Sequence, residues 1–237
     1  MVENETVSEE QISDEKTSGE KPKLDTKQLM NDALYGAVKG IGGFALKLFT
    51  NLVIEGKENI PMIGKAIITT ISKNVMRDML IISQVTGRKI HFMVSAKLMK
   101  HQIAGPVLKN LGMIRGTESK EDTEPVEKIL EILNNTPDLV GMTPEAKLDR
   151  ETQIKSMASI IKFAVAADAP IIPLVIYSEK TKLFDMINAS GLKVKVGTPL
   201  KVEKRLNRDK YHDERYELAG DIINIIESLK VKNENQQ

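Results

Sequence analysis

A lysine and an aspartate stand at a predicted strand-to-helix joint, in the segment AIITTISKNVMRDMLII (66–82). The apolar run Ala66–Ser72 predicts a buried strand, and the helical period of Asn74–Thr86 predicts the helix that follows it. In α/β proteins such a joint faces an open crevice, where backbone donors and side chains converge. The ammonium of Lys73 and the carboxylate of Asp78 are therefore the first candidate functional groups.

A second set of polar side chains follows another predicted strand, in the segment TPEAKLDR (143–150). Its charged residues near the strand end are Glu145, Lys147 and Arg150, and the two cations are candidate ligands for an anion. Because the carboxyl ends of parallel strands meet at one edge of a sheet, these residues are expected near Lys73. A solvated surface loop is the alternative interpretation of Lys147 and Arg150.

The composition excludes several classes of function. A chain of 237 residues with 41% hydrophobic residues is long enough for one sizeable core. Its 34 basic and 33 acidic residues nearly cancel, so no nucleic-acid partner is expected. Cysteine is absent, which excludes disulfides, thiolate metal sites and a cysteine nucleophile. The acidic first residues lack the pattern of a signal peptide, and a cytoplasmic location is expected.

The histidines, together with one glycine-rich segment, give no sign of a metal or cofactor. His91, His101 and His212 belong to no recognisable motif that pairs a histidine with a carboxylate, so a core or surface role is expected for each. No histidine pair has metal-ligand spacing, and no metal is expected. The segment GIGGFA (40–45) fits a loose dinucleotide pattern, but a helical period precedes it where a strand is required, and no cofactor is expected.

Strand and helix signals alternate along most of the chain. This order predicts an α/β fold with a mixed, largely parallel central sheet flanked by helices, in one domain over residues 51–232. The predicted strands are Ala66–Ser72, Ile90–Val94, Asp138–Met142, Ile171–Tyr177 and Val194–Val196. The predicted helices are Asn74–Thr86, Gln102–Leu111, Glu124–Asn135, Thr152–Ala167 and Asp213–Leu229.

Two further segments precede this domain. Residues 1–26 are polar and acidic, a composition that predicts a disordered tail. Residues 27–50 have the period of an amphipathic helix, which either packs on the core or lies in a membrane interface. Its apolar stripe consists of Leu29, Ala33, Ala37, Ile41, Phe44 and Leu48.

From about Val53 to Leu200, the order of these segments resembles the glycerolipid acyltransferase family, typified by lysophosphatidic acid acyltransferase. Arg115 stands at the position of the family's phosphate-binding arginine, and Pro173 matches a proline in its closing strand. The resemblance rests on five blocks in order, which are VIEGKENIP (53–61), AIITTISKNVMRDMLII (66–82), HFMVSAKLMKHQIAGPVLKNLGMIRG (91–116), LVGMTPEAKLDR (139–150) and APIIPLVIY (169–177).

The resemblance implies acyl transfer from a thioester to a hydroxyl. In the family's His-x4-Asp motif, the histidine takes the proton of the acceptor hydroxyl and the aspartate orients that histidine. Here Asp78 matches the aspartate, but Lys73 occupies the histidine position. A lysine base needs its pKa lowered by about three units from 10.4 to be largely neutral at pH 7, whereas a nearby carboxylate favours the ammonium.

The family's Pro-Glu-Gly-Thr-Arg block is also altered. Its proline and glutamate are present as Pro144 and Glu145, and the resemblance makes Glu145 a catalytic candidate. The next three residues are Ala146, Lys147 and Leu148. The family's substrates imply a lysophospholipid or glycerol phosphate as acceptor, and acyl-CoA or acyl carrier protein as donor. An acyl tunnel would be lined by residues such as Met76, Met79, Leu98 and Met113.

Two functions stay open at this point. One is a peripheral membrane protein on the cytoplasmic face that binds a lysophosphatidate-like lipid phosphate and is catalytically impaired because the catalytic histidine is Lys73. The other is an active acyltransferase of phospholipid biosynthesis with an altered site. In both, Lys73, Arg115 and Lys147 are expected to share one crevice, with Arg150 as a fourth cation. In a third, purely structural interpretation, Lys73 forms an ordinary half-buried ion pair.

Overall fold

The computed structural model describes residues 26–50, 52–119, 121–178 and 191–231. The predicted acidic tail, apart from Thr26, lies outside these ranges. So do the side chains of Lys27 and of residues 45–50, and with them the predicted stripe residue Leu48.

A seven-stranded sheet forms the centre of the described part of the chain, with strand order β1-β7-β6-β2-β5-β3-β4. Neighbouring strands are parallel except for β6 and β7, which run antiparallel. This mixed, largely parallel sheet confirms the predicted fold class. The strands are β1 (Val53–Glu55), β2 (Ile67–Thr69), β3 (Ile90–Val94), β4 (Ile114–Arg115), β5 (Leu139–Gly141), β6 (Ile171–Ser178) and β7 (Leu192–Val196).

Helices cover both faces of the sheet. One apolar core contains residues of α5, α6 and α7, and the other contains residues of α2, α3 and α4. The helices are α1 (Thr26–Thr50), α2 (Val75–Ile82), α3 (Ala96–Met99), α4 (Ala104–Asn110), α5 (Glu124–Asn135), α6 (Arg150–Ala167) and α7 (His212–Val231). Short 3-10 turns at Lys57–Asn59, Lys204–Asn207 and Asp209–Tyr211 join some of these elements.

The N-terminal helix α1 contacts the domain with its polar face. Lys89 pairs with Asp32 at 2.6 Å, and the backbone N–H of Ile90 donates to the Tyr35 hydroxyl. One turn further on, the Lys39 ammonium donates to the carbonyl of Thr86 at 2.6 Å. Burial raises the pKa of Tyr35 and lowers that of Lys39, as expected for polar groups held against a protein surface.

Two glycines let the same face of α1 approach α2 closely. A Cβ at Gly42 would lie 2.4 Å from the Leu80 side chain, and one at Gly43 would lie 2.2 Å from that of Gln84. Glycine is therefore the residue that fits these two positions without a shift of the neighbouring side chains.

The apolar stripe of α1 points away from the domain. Its members with described side chains are all exposed, including Ile41 at 73% and Phe44 at 69% of full exposure. Met30 and Leu34 are exposed as well. Within the described ranges, no helix combines the length and the apolar character needed to cross a membrane.

Candidate functional site

A crevice of about 430 Å³ lies at the carboxyl ends of three adjacent parallel strands, β2, β5 and β3. The loop after each strand contributes to its lining, which is the arrangement expected for a ligand site in an open α/β sheet. Its polar lining includes Ser72, Lys73, Asn74, Lys97, Glu145 and Lys147. The structure thus brings together Lys73, Glu145 and Lys147 from two predicted loops and adds Lys97 from a third.

Asp78 is buried directly behind the crevice and receives five hydrogen bonds. One carboxylate oxygen accepts from the Ser72 hydroxyl at 2.9 Å and from the backbone N–H groups of Lys73 and Asn74. The other accepts from Nε and Nη2 of Arg77, at 2.9 and 2.8 Å. Asp78 therefore fixes the joint between β2 and α2, and its charge is already balanced by a guanidinium.

The Lys73 side chain does not pair with Asp78, and only its backbone N–H reaches that carboxylate. The residue is exposed, and its ammonium has no hydrogen-bond or ion-pair partner among the described residues. The ion pair that the sequence suggested is thus made by Arg77 instead. A solvent-exposed ammonium without a partner in the described part of the chain is suited to bind an anion.

Glu145 and Lys147 lie on a turn that backbone hydrogen bonds hold against the loop after β2. The carbonyl of Pro144 accepts from the Ser72 N–H, and the Ser72 carbonyl accepts from the Ala146 N–H. The Lys147 ammonium pairs with the Glu145 carboxylate at 2.6 Å, while its side chain stays 78% exposed. An exposed pair of this kind contributes little to stability, so Lys147 is able to exchange its partner for a ligand.

Arg115 lies at the carboxyl end of the edge strand β4 and does not line the crevice. Its guanidinium donates to both carboxylate oxygens of Asp122, at 2.6 and 2.9 Å, and also to Glu118 and Glu124. These hydrogen bonds, the one to Asp122 first, raise the pKa of Arg115 and lower that of Asp122. The predicted phosphate ligand is thus held by three carboxylates of its own segment.

Arg150 and Pro173 also lie apart from the crevice lining. Arg150 begins α6, and its guanidinium donates to Glu227 at 2.8 Å and to Asn224 on α7. Pro173 lies within β6, where its carbonyl accepts from the Gly197 N–H. Arg150 therefore joins two helices, and Pro173 belongs to the sheet.

The lining includes two ionisable residues, Lys97 and His101, that were not among the predicted site residues. Lys97 is on α3, and its exposed ammonium has no partner in the part of the chain that the structure describes. His101 follows α3 and also lines the crevice. Both come soon after the predicted strand Ile90–Val94, so the rule that placed Lys73 at the sheet edge was available for them as well.

The other two histidines lie outside the crevice. His91 is buried, with Nδ1 2.6 Å from the Gly112 carbonyl and Nε2 2.9 Å from Asp138. His212 is exposed, stacks on Tyr216 and lies 3.0 Å from a carboxylate oxygen of the next residue. Over the described ranges, no three potential metal-ligating side chains cluster.

A second, apolar cavity of about 480 Å³ adjoins the crevice between α1, α2 and α4. Met76, in the first turn of α2, lines both cavities. Met79, Phe92 and Met113 are among its other lining residues, whereas Leu98 lines the crevice instead. A crevice with cationic side chains thus adjoins a space suited to a hydrocarbon chain.

A family model described as Acyltransferase matches residues 51–177, more than half of the chain. The chain belongs to the Acyltransferase family. Among solved structures, this chain is similar to the crystal structure of the 1-acyl-sn-glycerophosphate (LPA) acyltransferase PlsC from Thermotoga maritima. The TM-score is 0.59 at 15% identity, over 87% of this chain and 84% of that chain. No curated protein matches the sequence.

Proposed function

We propose that this acyltransferase-family protein binds the phosphate of a lysophosphatidate-like lipid at a membrane surface and is impaired in acyl transfer. The observation that carries the proposal is that one crevice contains two ammonium groups, those of Lys73 and Lys97, which have no partner among the described residues. With Lys147 and the single carboxylate of Glu145, three positive charges face one negative charge. Such an excess favours a phosphate, which accepts several charge-assisted hydrogen bonds.

The impairment follows from the surroundings of Asp78. A general base must lie within hydrogen-bond reach of the acceptor hydroxyl in a form that takes up a proton. Lys73 occupies the position of the family's base as an exposed ammonium, which has no lone pair to offer. Asp78 has its two oxygens committed to Arg77 and to the turn, so this carboxylate is not free to orient a base.

The apolar cavity beside the crevice supports a lipid as the source of the phosphate. A lysophosphatidate headgroup at the lysines would leave its acyl chain beside Met76, where the apolar lining begins. Burial of hydrocarbon contributes about 0.8 kcal/mol per methylene, which free glycerol phosphate lacks. A lysophospholipid taken from water as a monomer is therefore expected to bind more tightly than glycerol phosphate.

The orientation of α1 supports a membrane surface as the place of binding. Its polar residues hold the domain and its apolar residues, Ile41 and Phe44 among them, face outward. A helix with an outward apolar face is suited to lie in the interface of a bilayer. The cytoplasmic face, expected from the sequence, remains a prediction.

Ligand binding by the full chain tests this proposal. Glycerol 3-phosphate and lysophosphatidate in phosphatidylcholine vesicles are expected to bind, and Lys73→Ala or Lys97→Ala should each weaken binding about tenfold, the low end for a charge-assisted hydrogen bond. Lys109→Ala removes an exposed lysine outside the crevice and is the matched control. Equal affinities for all four proteins would place the phosphate elsewhere.

An active acyltransferase is the second candidate, because the family's aspartate and glutamate are present as Asp78 and Glu145 beside the crevice. The assay measures thiol release from acyl-CoA or from acyl carrier protein, with lysophosphatidate as acceptor. The impaired protein should release thiol at a rate close to the uncatalysed one. Turnover at rates typical of enzymes, about 1–10³ per second, that disappears in Lys73→Ala would favour the second candidate.

A further inference from the structure

His101 lies on the same side of the crevice as Lys97. The two residues are four positions apart around α3 and the turn after it, and both line the crevice. Backbone hydrogen bonds continue across this turn, since the His101 N–H donates to Leu98 and the His101 carbonyl accepts from Gly105. The His101 backbone is therefore held in place, and its imidazole lies beside the Lys97 ammonium, which has no partner among the described residues.

The hydrogen bonds of the ring determine which nitrogen carries the proton. Nδ1 of His101 lies 3.4 Å from the backbone nitrogen of Ile103 and 3.3 Å from that of Ala104. A backbone N–H is a donor and never an acceptor, so Nδ1 accepts in both contacts and carries no hydrogen. The proton of the neutral ring is then on Nε2, and Nε2 has no partner among the described residues.

This tautomer makes His101 a donor and not a base. Nε2 has no lone pair to receive the proton of an acceptor hydroxyl, and a proton added at Nδ1 would displace the hydrogen bonds from Ile103 and Ala104. A free N–H beside Lys73 and Lys97 is complementary to a phosphate oxygen. The histidine therefore complements the cationic crevice without replacing the lost base.

We infer that His101 is a phosphate ligand of this crevice, donating from Nε2–H to an oxygen of the bound headgroup. The inference rests on the proposed phosphate site and adds a residue to it. It also explains why a histidine in the crevice does not imply catalysis. Nε2–H would make the same hydrogen bond to the phosphate of a lipid headgroup and to that of free glycerol phosphate.

Long-range ¹H–¹⁵N correlation spectra of the full chain labelled at histidine test the tautomer. The His101 signals, assigned from their loss in His101→Asn, should show a neutral ring protonated at Nε2. Addition of glycerol 3-phosphate should shift the Nε2 signal and leave Nδ1 nearly unchanged. A ring protonated at Nδ1, or a Nε2 signal that does not respond to saturating ligand, would overturn the inference.

Affinities measured on variants test the contact itself. Asparagine keeps a side-chain oxygen that accepts from nearby backbone N–H groups but does not extend as far as Nε2, so His101→Asn should retain the turn and weaken glycerol 3-phosphate binding about tenfold. His212→Asn replaces an exposed histidine outside the crevice and should bind as the wild type does. Thermal unfolding of each variant shows whether the fold is intact.

The outcomes separate this inference from the proposed phosphate site. If Lys97→Ala weakens binding and His101→Asn does not, the site stands and the role of His101 is refuted. If wild-type protein binds neither glycerol 3-phosphate nor lysophosphatidate in phosphatidylcholine vesicles, both fail together. Inorganic phosphate serves as a third probe. If His101→Asn weakens the binding of inorganic phosphate but not of the other two probes, the assignment to a headgroup is overturned.

Discussion

Replacing Ile41 and Phe44 on α1 by glutamine should release the protein from phosphatidylcholine vesicles. Their side chains are 73% and 69% exposed, and full burial of such a side chain contributes about 1.5–3 kcal/mol. Burial of the exposed fractions in a bilayer interface would therefore contribute about 2–4 kcal/mol for the pair. At about 1.4 kcal/mol per factor of ten, the double variant should partition at least tenfold more weakly in a flotation assay.

Two features of this experiment isolate the apolar contact. Glutamine is uncharged and the vesicles are zwitterionic, so net charge does not change the result. Met62→Gln with Ile63→Gln makes the same change at two residues that are 90% exposed in a loop outside α1, and should leave partitioning unchanged. If Ile41→Gln with Phe44→Gln folds normally and partitions within about twofold of the wild type, α1 does not make the contact.

Three further predictions concern the charges near the joint and at the edge strand. Lys73→His alone should restore little acyl transfer in the thiol-release assay, because Arg77 already donates to the Asp78 carboxylate that would orient the new imidazole. A recovered rate above about a tenth of a typical enzyme rate would refute this prediction. Asp78→Ala should lower the free energy of unfolding in urea by about 2–4 kcal/mol, since it leaves buried donors unpaired. Arg115→Gln should destabilise the protein at pH 7. The pKa of Asp122 is lowered in the folded state, so the stability that its pairing with Arg115 contributes is present above the unfolded pKa and is lost in acid. Urea titrations should therefore show the stability difference between wild type and variant shrinking as the pH falls below about 4. A difference that stays constant with pH would contradict this last account.

Much of the fold and the location of the crevice could be predicted from periodicity. The strand Ile90–Val94 and the helix Glu124–Asn135 have the predicted bounds, and the parallel sheet places the loops after three strands at one edge. Lys73 and Lys147 reach the crevice because they follow two of those strands directly. This part of the site depends on topology, which the pattern of apolar runs encodes.

The partners of individual arginines depend on side-chain geometry that such patterns do not encode. Arg150 contacts Glu227, 77 residues further along the chain, and no local signal places these two helices together. Arg115 differs, because Asp122 and two glutamates follow it within nine residues and compete for its guanidinium. That acidic run was visible in the sequence and would have argued against a free phosphate-binding arginine.

The helix α1 shows a different limit of sequence patterns. Its apolar stripe was compatible with a core face or a membrane face, since an amphipathic period does not say which face meets the protein. The deciding contacts are made by Asp32, Tyr35 and Lys39, together with two glycines that have no side chain to reveal their role. The polar side of α1, and not its apolar stripe, is therefore the side that identifies the face packed on the domain.

The hydrogen bonds of Asp78 bear both on the charge of the crevice and on whether a base can be oriented there. A lysine next to a free carboxylate would form an ion pair and lose its attraction for a ligand. Arg77 prevents this by occupying one carboxylate oxygen, while Ser72 and the backbone of the turn occupy the other. Within the described ranges the Lys73 ammonium therefore has no carboxylate partner, which suits it to an anion. For the same reason, a histidine placed at this position would not find the Asp78 carboxylate free to orient it, so the proposed phosphate binding and the proposed impairment of acyl transfer rest on the same hydrogen bonds.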